Sequence, residues 1–216
     1  MSKQYDIEYI NIYRAFCMTN CITTSAFTES KPIMNISEGW LEQAEKCVSP
    51  HYDQREHCDV KEISLLVIHN ISLPAKQFGG NYISDLFLGQ LDPKAHPSFE
   101  EIYQMRVSAH CLIRRDGHII QYVSFNDRAW HAGVSCYQDK TKCNDFSIGI
   151  ELEGADDIPY TDEQYQQLSQ LTLSLMSVYP LIKDNITGHS DIAPGRKTDP
   201  GEAFNWQKYQ TMIKIK

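Results

Sequence analysis

His69 stands after an apolar run, and His189 and Asp199 lie ten residues apart near the C-terminus. Zinc hydrolases hold a catalytic metal through three protein groups drawn from imidazole and carboxylate, which leaves a fourth position for water. Lys197 sits two residues before Asp199, and an apolar stretch over 146–152 carries Glu151. A metal, a general base and a cation together would make a hydrolytic centre. Other groups compete on spacing alone: His110 and His131 for the imidazoles, Asp191 for Asp199, and Glu153 for Glu151, since residues two apart share one side of a strand.

These side chains need elements to position them. Residues 63–68 form a short β-branched run without polar alternation, as in a strand buried on both faces, and it delivers His69 and Asn70 at its end. Residues 107–113 and 119–123 read as two strands of a hairpin, because Asp116-Gly117 between apolar runs favours a tight turn. The stretch over 146–152 is a further strand, with Ile148, Ile150 and Leu152 on one face and Gly149 and Glu151 on the other.

Thr161 and Gln164 make a capping box ahead of Tyr165, Leu168, Leu171, Leu175 and Val178, whose spacing predicts a helix ending before Pro180. Residues 71–106 are rich in Pro and Gly and read as a long loop with a helical turn near 82–88. Residues 184–203 read as another loop, followed by a short closing helix over 204–215. The expected fold is α/β: one domain over 36–216, with a central mixed β-sheet flanked by α-helices. Residues 1–35, without a sustained period, are expected to be a poorly ordered extension or the product of a start-site artefact, with Met34 the alternative initiator.

Bulk properties narrow the partners. The 216 residues contain 42% hydrophobic and 22% charged residues, which suits one packed core and excludes a largely disordered chain. A formal charge of -8 argues against a nucleic-acid partner, which would need clustered Lys and Arg. No run is long and apolar enough for a membrane span or a secretory signal. Seven cysteines, without regular close pairs, point to free thiols in a reducing compartment. The expectation is a monomer in the cytoplasm.

Four separated segments carry a family likeness: 64–70 (SLLVIHN), 128–133 (RAWHAG), 147–154 (SIGIELEG) and 187–200 (TGHSDIAPGRKTDP). From about Trp40 to the end the chain resembles the zinc-dependent N-acetylmuramoyl-L-alanine amidases of type 2, relatives of the peptidoglycan recognition proteins, and within them the cytoplasmic branch that acts on 1,6-anhydromuropeptides. The resemblance implies Zn2+ held by His69, His189 and Asp199, Glu151 as general base and Lys197 as stabiliser of the transition state. It leaves His110 and His131 unligated, in supporting or packing roles, and selects Glu151 over Glu153.

The implied substrate is an anhydromuropeptide, cut between the lactyl group of 1,6-anhydro-N-acetylmuramic acid and L-alanine. Asn70, Arg106, Trp130, Lys142 and Arg196 are candidate substrate contacts, with Trp130 stacking on the sugar and the cations holding the acidic peptide. Lys142 departs from the family's usual Arg and lacks its bidentate grip on carboxylates. A non-catalytic peptidoglycan-binding module is the alternative function.

Overall fold

The computed structural model describes residues 34–56 and 59–214. Six strands form the central sheet: β1 Glu45–Lys46, β2 Leu65–Ile71, β3 Cys111–Ile113, β4 Ile119–Gln121, β5 Ser147–Glu153 and β6 Ile186–Gly188. Their order is β6-β2-β5-β3-β4-β1. The first four in that order run parallel and β4 turns back against β3, so the sheet is mixed. Among the described residues four α-helices accompany it: α1 Tyr82–Phe87, α2 Asp162–Val178, α3 His189–Ile192 and α4 Trp206–Ile213.

Alternation along β2 and β5 divides the molecule. Leu66, Ile68, Ile148, Ile150 and Leu152 pack in one cluster with Tyr165, Leu168, Leu171 and Leu175 of α2 and Tyr209 of α4. Each such apolar side chain contributes about 1.5–3 kcal/mol on leaving water. The capping box at Thr161 and Gln164 starts α2, the Thr161 hydroxyl accepting from the Gln164 N–H at 3.1 Å. A second cluster joins Ile83, Leu86 and Phe87 of α1 to Phe99, Leu112, Ile120 and Tyr122.

The opposite faces of β2 and β5 carry Leu65, Val67 and His69, and Ser147, Gly149, Glu151 and Glu153. Leu65 and Val67 are covered by Ala132, Cys143, Phe146 and Ile192. Both central strands are therefore covered on each side, which accounts for the unbroken apolar run at the start of β2, while β5 alternates apolar residues with Ser147, Gly149, Glu151 and Glu153.

Several elements differ from expectation. His69 lies inside β2, which continues to Ile71 because β5 pairs with it throughout, His69 standing opposite Glu151. The stretch expected as loop over 184–203 contains the edge strand β6 and the one-turn helix α3; Leu66 and its neighbours supply the hydrogen bonds that the local sequence does not advertise. The hairpin is shorter than its apolar runs, and Gly117 turns it with φ +86°.

The extension expected over 1–35 lies outside the described residues except for its last two positions. Of these, Met34 is buried in the core, and its N–H donates to Ser174 Oγ at 2.8 Å. Among the described residues no helix is long and apolar enough to cross a membrane.

Candidate active site

The site forms at the C-terminal ends of parallel strands, where ligands commonly sit in open α/β sheets. β2 supplies His69, β5 supplies Glu151, and the turn from β6 into α3 supplies His189. Asp191 Oδ2 fixes that turn by accepting from Thr187 Oγ1 at 2.7 Å and Gly188 N–H at 3.1 Å, which occupies it locally. The backbone N–H of Ser190 donates to the Asp199 carbonyl at 2.9 Å and draws the following loop back over the strand ends.

Three atoms converge there. His69 Nδ1 lies 3.0 Å from His189 Nδ1 and 3.1 Å from Asp199 Oδ2, and His189 Nδ1 lies 3.0 Å from the same oxygen. His69 is 1% exposed and His189 3%.

The surroundings decide where the imidazole protons reside. Ser147 Oγ donates to the Cys143 carbonyl at 2.6 Å, so it accepts from His131 Nε2–H at 3.1 Å. His131, kept neutral by burial first and by neighbouring histidines second, then accepts at Nδ1 from His69 Nε2–H at 2.9 Å. His189 donates Nε2–H to the Ala132 carbonyl at 3.2 Å. Both histidines thus turn a bare Nδ1 lone pair toward a carboxylate oxygen, with burial dropping His69 to about 4. Three lone pairs facing one another are mutually repulsive without a cation between them. Two imidazoles and a carboxylate are a donor set that suits zinc, so the residues fit a metal.

Glu151 stands beside this group, and its Oε2 is buried without a hydrogen-bond partner. Burial and the charge of Asp199 push its carboxyl well above the usual range, with Lys197 opposing them. Glu153, by contrast, is 1% exposed and engaged in scaffolding: its oxygens accept from Gly79 N–H at 2.6 Å, Arg115 N–H at 3.2 Å and Arg114 Nη1 at 3.4 Å. It clasps the long loop to the hairpin.

The groove at this centre is lined by Asn70, Ser72, Asp156, Arg196, Lys197 and Asp199, among others. Arg196 Nη2 is occupied by the Ala132 and Val134 carbonyls at 2.6 and 2.8 Å. Arg106 and Lys142 are exposed, and Trp130 stacks on His51 with ring centroids 6.2 Å apart. None of these three is among the residues that line the groove. His110 accepts from Gly149 N–H at 3.0 Å and sets its ring edge-on to His131, away from the three converging atoms. Sequence reasoning missed Ser147, which holds His131, and Asp156, which bridges Asn70 and Thr198; neither stands in a pattern that advertises its partner.

Residues 59–202, which contain all five residues of the centre, match the family model described as N-acetylmuramoyl-L-alanine amidase. The chain belongs to the N-acetylmuramoyl-L-alanine amidase family. It is 60% identical over 178 residues to 1,6-anhydro-N-acetylmuramyl-L-alanine amidase AmpD of Salmonella typhimurium (strain SL1344), covering 82% of this chain and 94% of that amidase. A crystal structure of a selenomethionine AmpD derivative superposes with a TM-score of 0.81 at 57% identity, covering 84% of this chain and 100% of that one. A more distant amidase, AmiD from E. coli, in complex with the substrate anhydro-N-acetylmuramic acid-L-Ala-D-gamma-Glu-L-Lys, matches with a TM-score of 0.51 at 27% identity over 83% of this chain and 65% of that one. The amidase fold is thus the single α/β domain of the described residues, and the convergence of His69, His189 and Asp199, which the groove reaches through Lys197 and Asp199, is its candidate active site.

Proposed function

We propose that this amidase hydrolyses the amide between the lactyl group of 1,6-anhydro-N-acetylmuramic acid and the L-alanine of the stem peptide, in recycling of muropeptides. The observation that carries the reading is the convergence of His69 Nδ1, His189 Nδ1 and Asp199 Oδ2 beside a buried, unpartnered Glu151 carboxylate oxygen. The names of the similar amidases supply the substrate class.

His69, His189 and Asp199 would hold zinc, with lone-pair directions set by His131 and the Ala132 carbonyl. Zinc bound there supplies Lewis-acid chemistry and makes water acidic enough to ionise near neutral pH. Glu151 takes the proton from the attacking water as its oxygen bonds to the amide carbon, and a carboxyl with a raised pKa is matched to that role. Glu151 then returns the proton to the departing amine nitrogen as the C–N bond breaks. Lys197 holds its positive charge near the oxygen that becomes negative in between, an effect whose loss costs about 2.7–4 kcal/mol for a single donor.

Asn70 and Arg196 on the groove wall, with Arg106, Trp130 and Lys142 outside it, remain the proposed contacts for sugar and peptide. The free thiols of Cys47, Cys111, Cys136 and Cys143 support a reducing compartment, the cytoplasm in this reading.

The test is mass-spectrometric assay of anhydromuropeptide against intact murein, with and without a chelator. Release of peptide from the anhydromuropeptide, abolished by chelation and restored by zinc, is expected. Glu151→Gln should keep its zinc and lose turnover, whereas His189→Ala should lose both. Full turnover by Glu151→Gln refutes the base assignment, and zinc-free wild-type protein that binds muropeptide uncut points to a binding module instead.

A further inference from the structure

We propose that Asp156 is a positioning residue that fixes Lys197 and Asp199 relative to His69, an inference that rests on the proposed metal-dependent reading of the same site. Its carboxylate spans two chain segments. Oδ1 accepts from Asn70 Nδ2 at 2.8 Å, and Oδ2 accepts from Thr198 Oγ1. Asn70 follows His69 directly, and Thr198 lies between Lys197 and Asp199. One carboxylate therefore ties the neighbour of one candidate ligand to the neighbour of another.

Backbone contacts hold the platform beneath this clasp. Asp156 lies in the turn after β5, where Gly154 N–H donates to the Ile71 carbonyl at 2.9 Å and so joins the turn to the end of β2. On the other side, Ala203 N–H donates to the Asp156 carbonyl at 2.8 Å, and Tyr160 OH donates to the Pro200 carbonyl at 2.7 Å. Gly201 lies flat on the turn: a Cβ there would come within 2.1 Å of Asp156 Cα. The backbone contacts bring residues 200–203 to the turn. The only hydrogen bond from that turn to the stretch carrying Lys197 and Asp199 runs through the Asp156 side chain, among the bonds of the described residues.

The carboxylate acts through hydrogen-bond geometry, and this separates it from a charge effect. In Asp156→Asn, Oδ1 can still accept from Asn70 while Nδ2 donates to Thr198 Oγ1, because a hydroxyl accepts as readily as it donates. Asp156→Ala loses both bonds. Thr198→Val loses one and leaves Asp156 in place.

The experiment measures zinc affinity by competition with a chromogenic chelator, without substrate, and kcat and KM on anhydromuropeptide. Asp156→Ala and Thr198→Val are each expected to bind zinc about tenfold more weakly and to lose about tenfold or more in kcat, the scale seen when support for a metal site is removed. KM should stay within about threefold, the double variant should fall little further than either single one, and Asp156→Asn should retain most zinc affinity and turnover.

Asp156→Asn as damaged as Asp156→Ala overturns the clasp in favour of charge. A rise in KM with kcat and zinc affinity preserved overturns it in favour of direct substrate contact. If Asp156→Ala does not fold, Thr198→Val decides: wild-type zinc affinity and kcat in that variant overturn the proposal. Wild-type protein that binds no zinc strikes the proposed function, whereas zinc-binding wild type beside an equally zinc-binding Asp156→Ala strikes the clasp alone.

Discussion

Gly149→Ala probes the link between the sheet and the imidazoles proposed to hold zinc. A Cβ on Gly149 would lie 2.4 Å from His131 Cγ and Nδ1 and 2.8 Å from its Cδ2, where ordinary contact begins near 3.4 Å. The ring must retreat by roughly 1 Å, the difference between those distances. Its Nδ1 bond from His69 is 2.9 Å long, so a displacement of that size along the bond takes it outside hydrogen-bond range. Overpacking of this kind costs about 1–3 kcal/mol, or roughly 2–12 °C in Tm for a chain of this length.

The sharper consequence concerns zinc. With His69 no longer held in one tautomer, affinity should fall about 10–100-fold, and the stabilisation conferred by saturating zinc should shrink by about 1.4–2.7 kcal/mol. Thermal melts of metal-free and zinc-loaded protein, with chelator competition, measure both effects. Gly80→Ala is the control, since its added Cβ meets nothing closer than 3.6 Å. Gly149→Ala with a lowered Tm but unaltered zinc affinity would refute the claim that His131 orients His69.

Glu153→Ala should destabilise the domain by about 3 kcal/mol, as expected when one member of a buried charged pair is removed; urea titration should show this, with faster proteolytic cleavage near Gly79, and an unchanged midpoint would contradict the clasp role. Burial lowers His110 to about 3 in the folded chain against an ordinary 6.5. The unfolded chain therefore takes up a proton below about pH 6.5 that the folded one refuses, and stability should fall by up to about 1.4 kcal/mol per pH unit from this residue until about pH 3. Urea melts between pH 7 and 5 should show that slope, and a His110→Gln variant should show a shallower one; equal slopes would rule out His110 as its source.

Much of the architecture was legible because local rules and tertiary packing agree. Thr161 and Gln164 announced α2, and the spacing of Leu168, Leu171 and Leu175 gave its buried face. Asp116-Gly117 announced the hairpin. β6 was hidden because Ile186, Thr187 and Gly188 become a strand only through pairing with β2. Period-two alternation placed Glu151 and Glu153 on one side of β5 but was silent on their environments, which differ through Gly79, Arg114 and Arg115, far away in sequence. At the site, His69, His189 and Asp199 stood out by type, whereas Ser147 and Asp156 are ordinary residues whose partners only the folded chain brings near.

The alternation of β5 has an evolutionary consequence. Ile148, Ile150 and Leu152 answer to packing, while Gly149 and Glu151 face the proposed reaction centre, so on that proposal two pressures act on interleaved positions of one seven-residue strand. Random variation at the even positions should be filtered by abundance of folded protein, and at these two odd positions by turnover. A single-residue deletion would exchange the two sets at a stroke, leaving no gradual route by which this strand could shift its register.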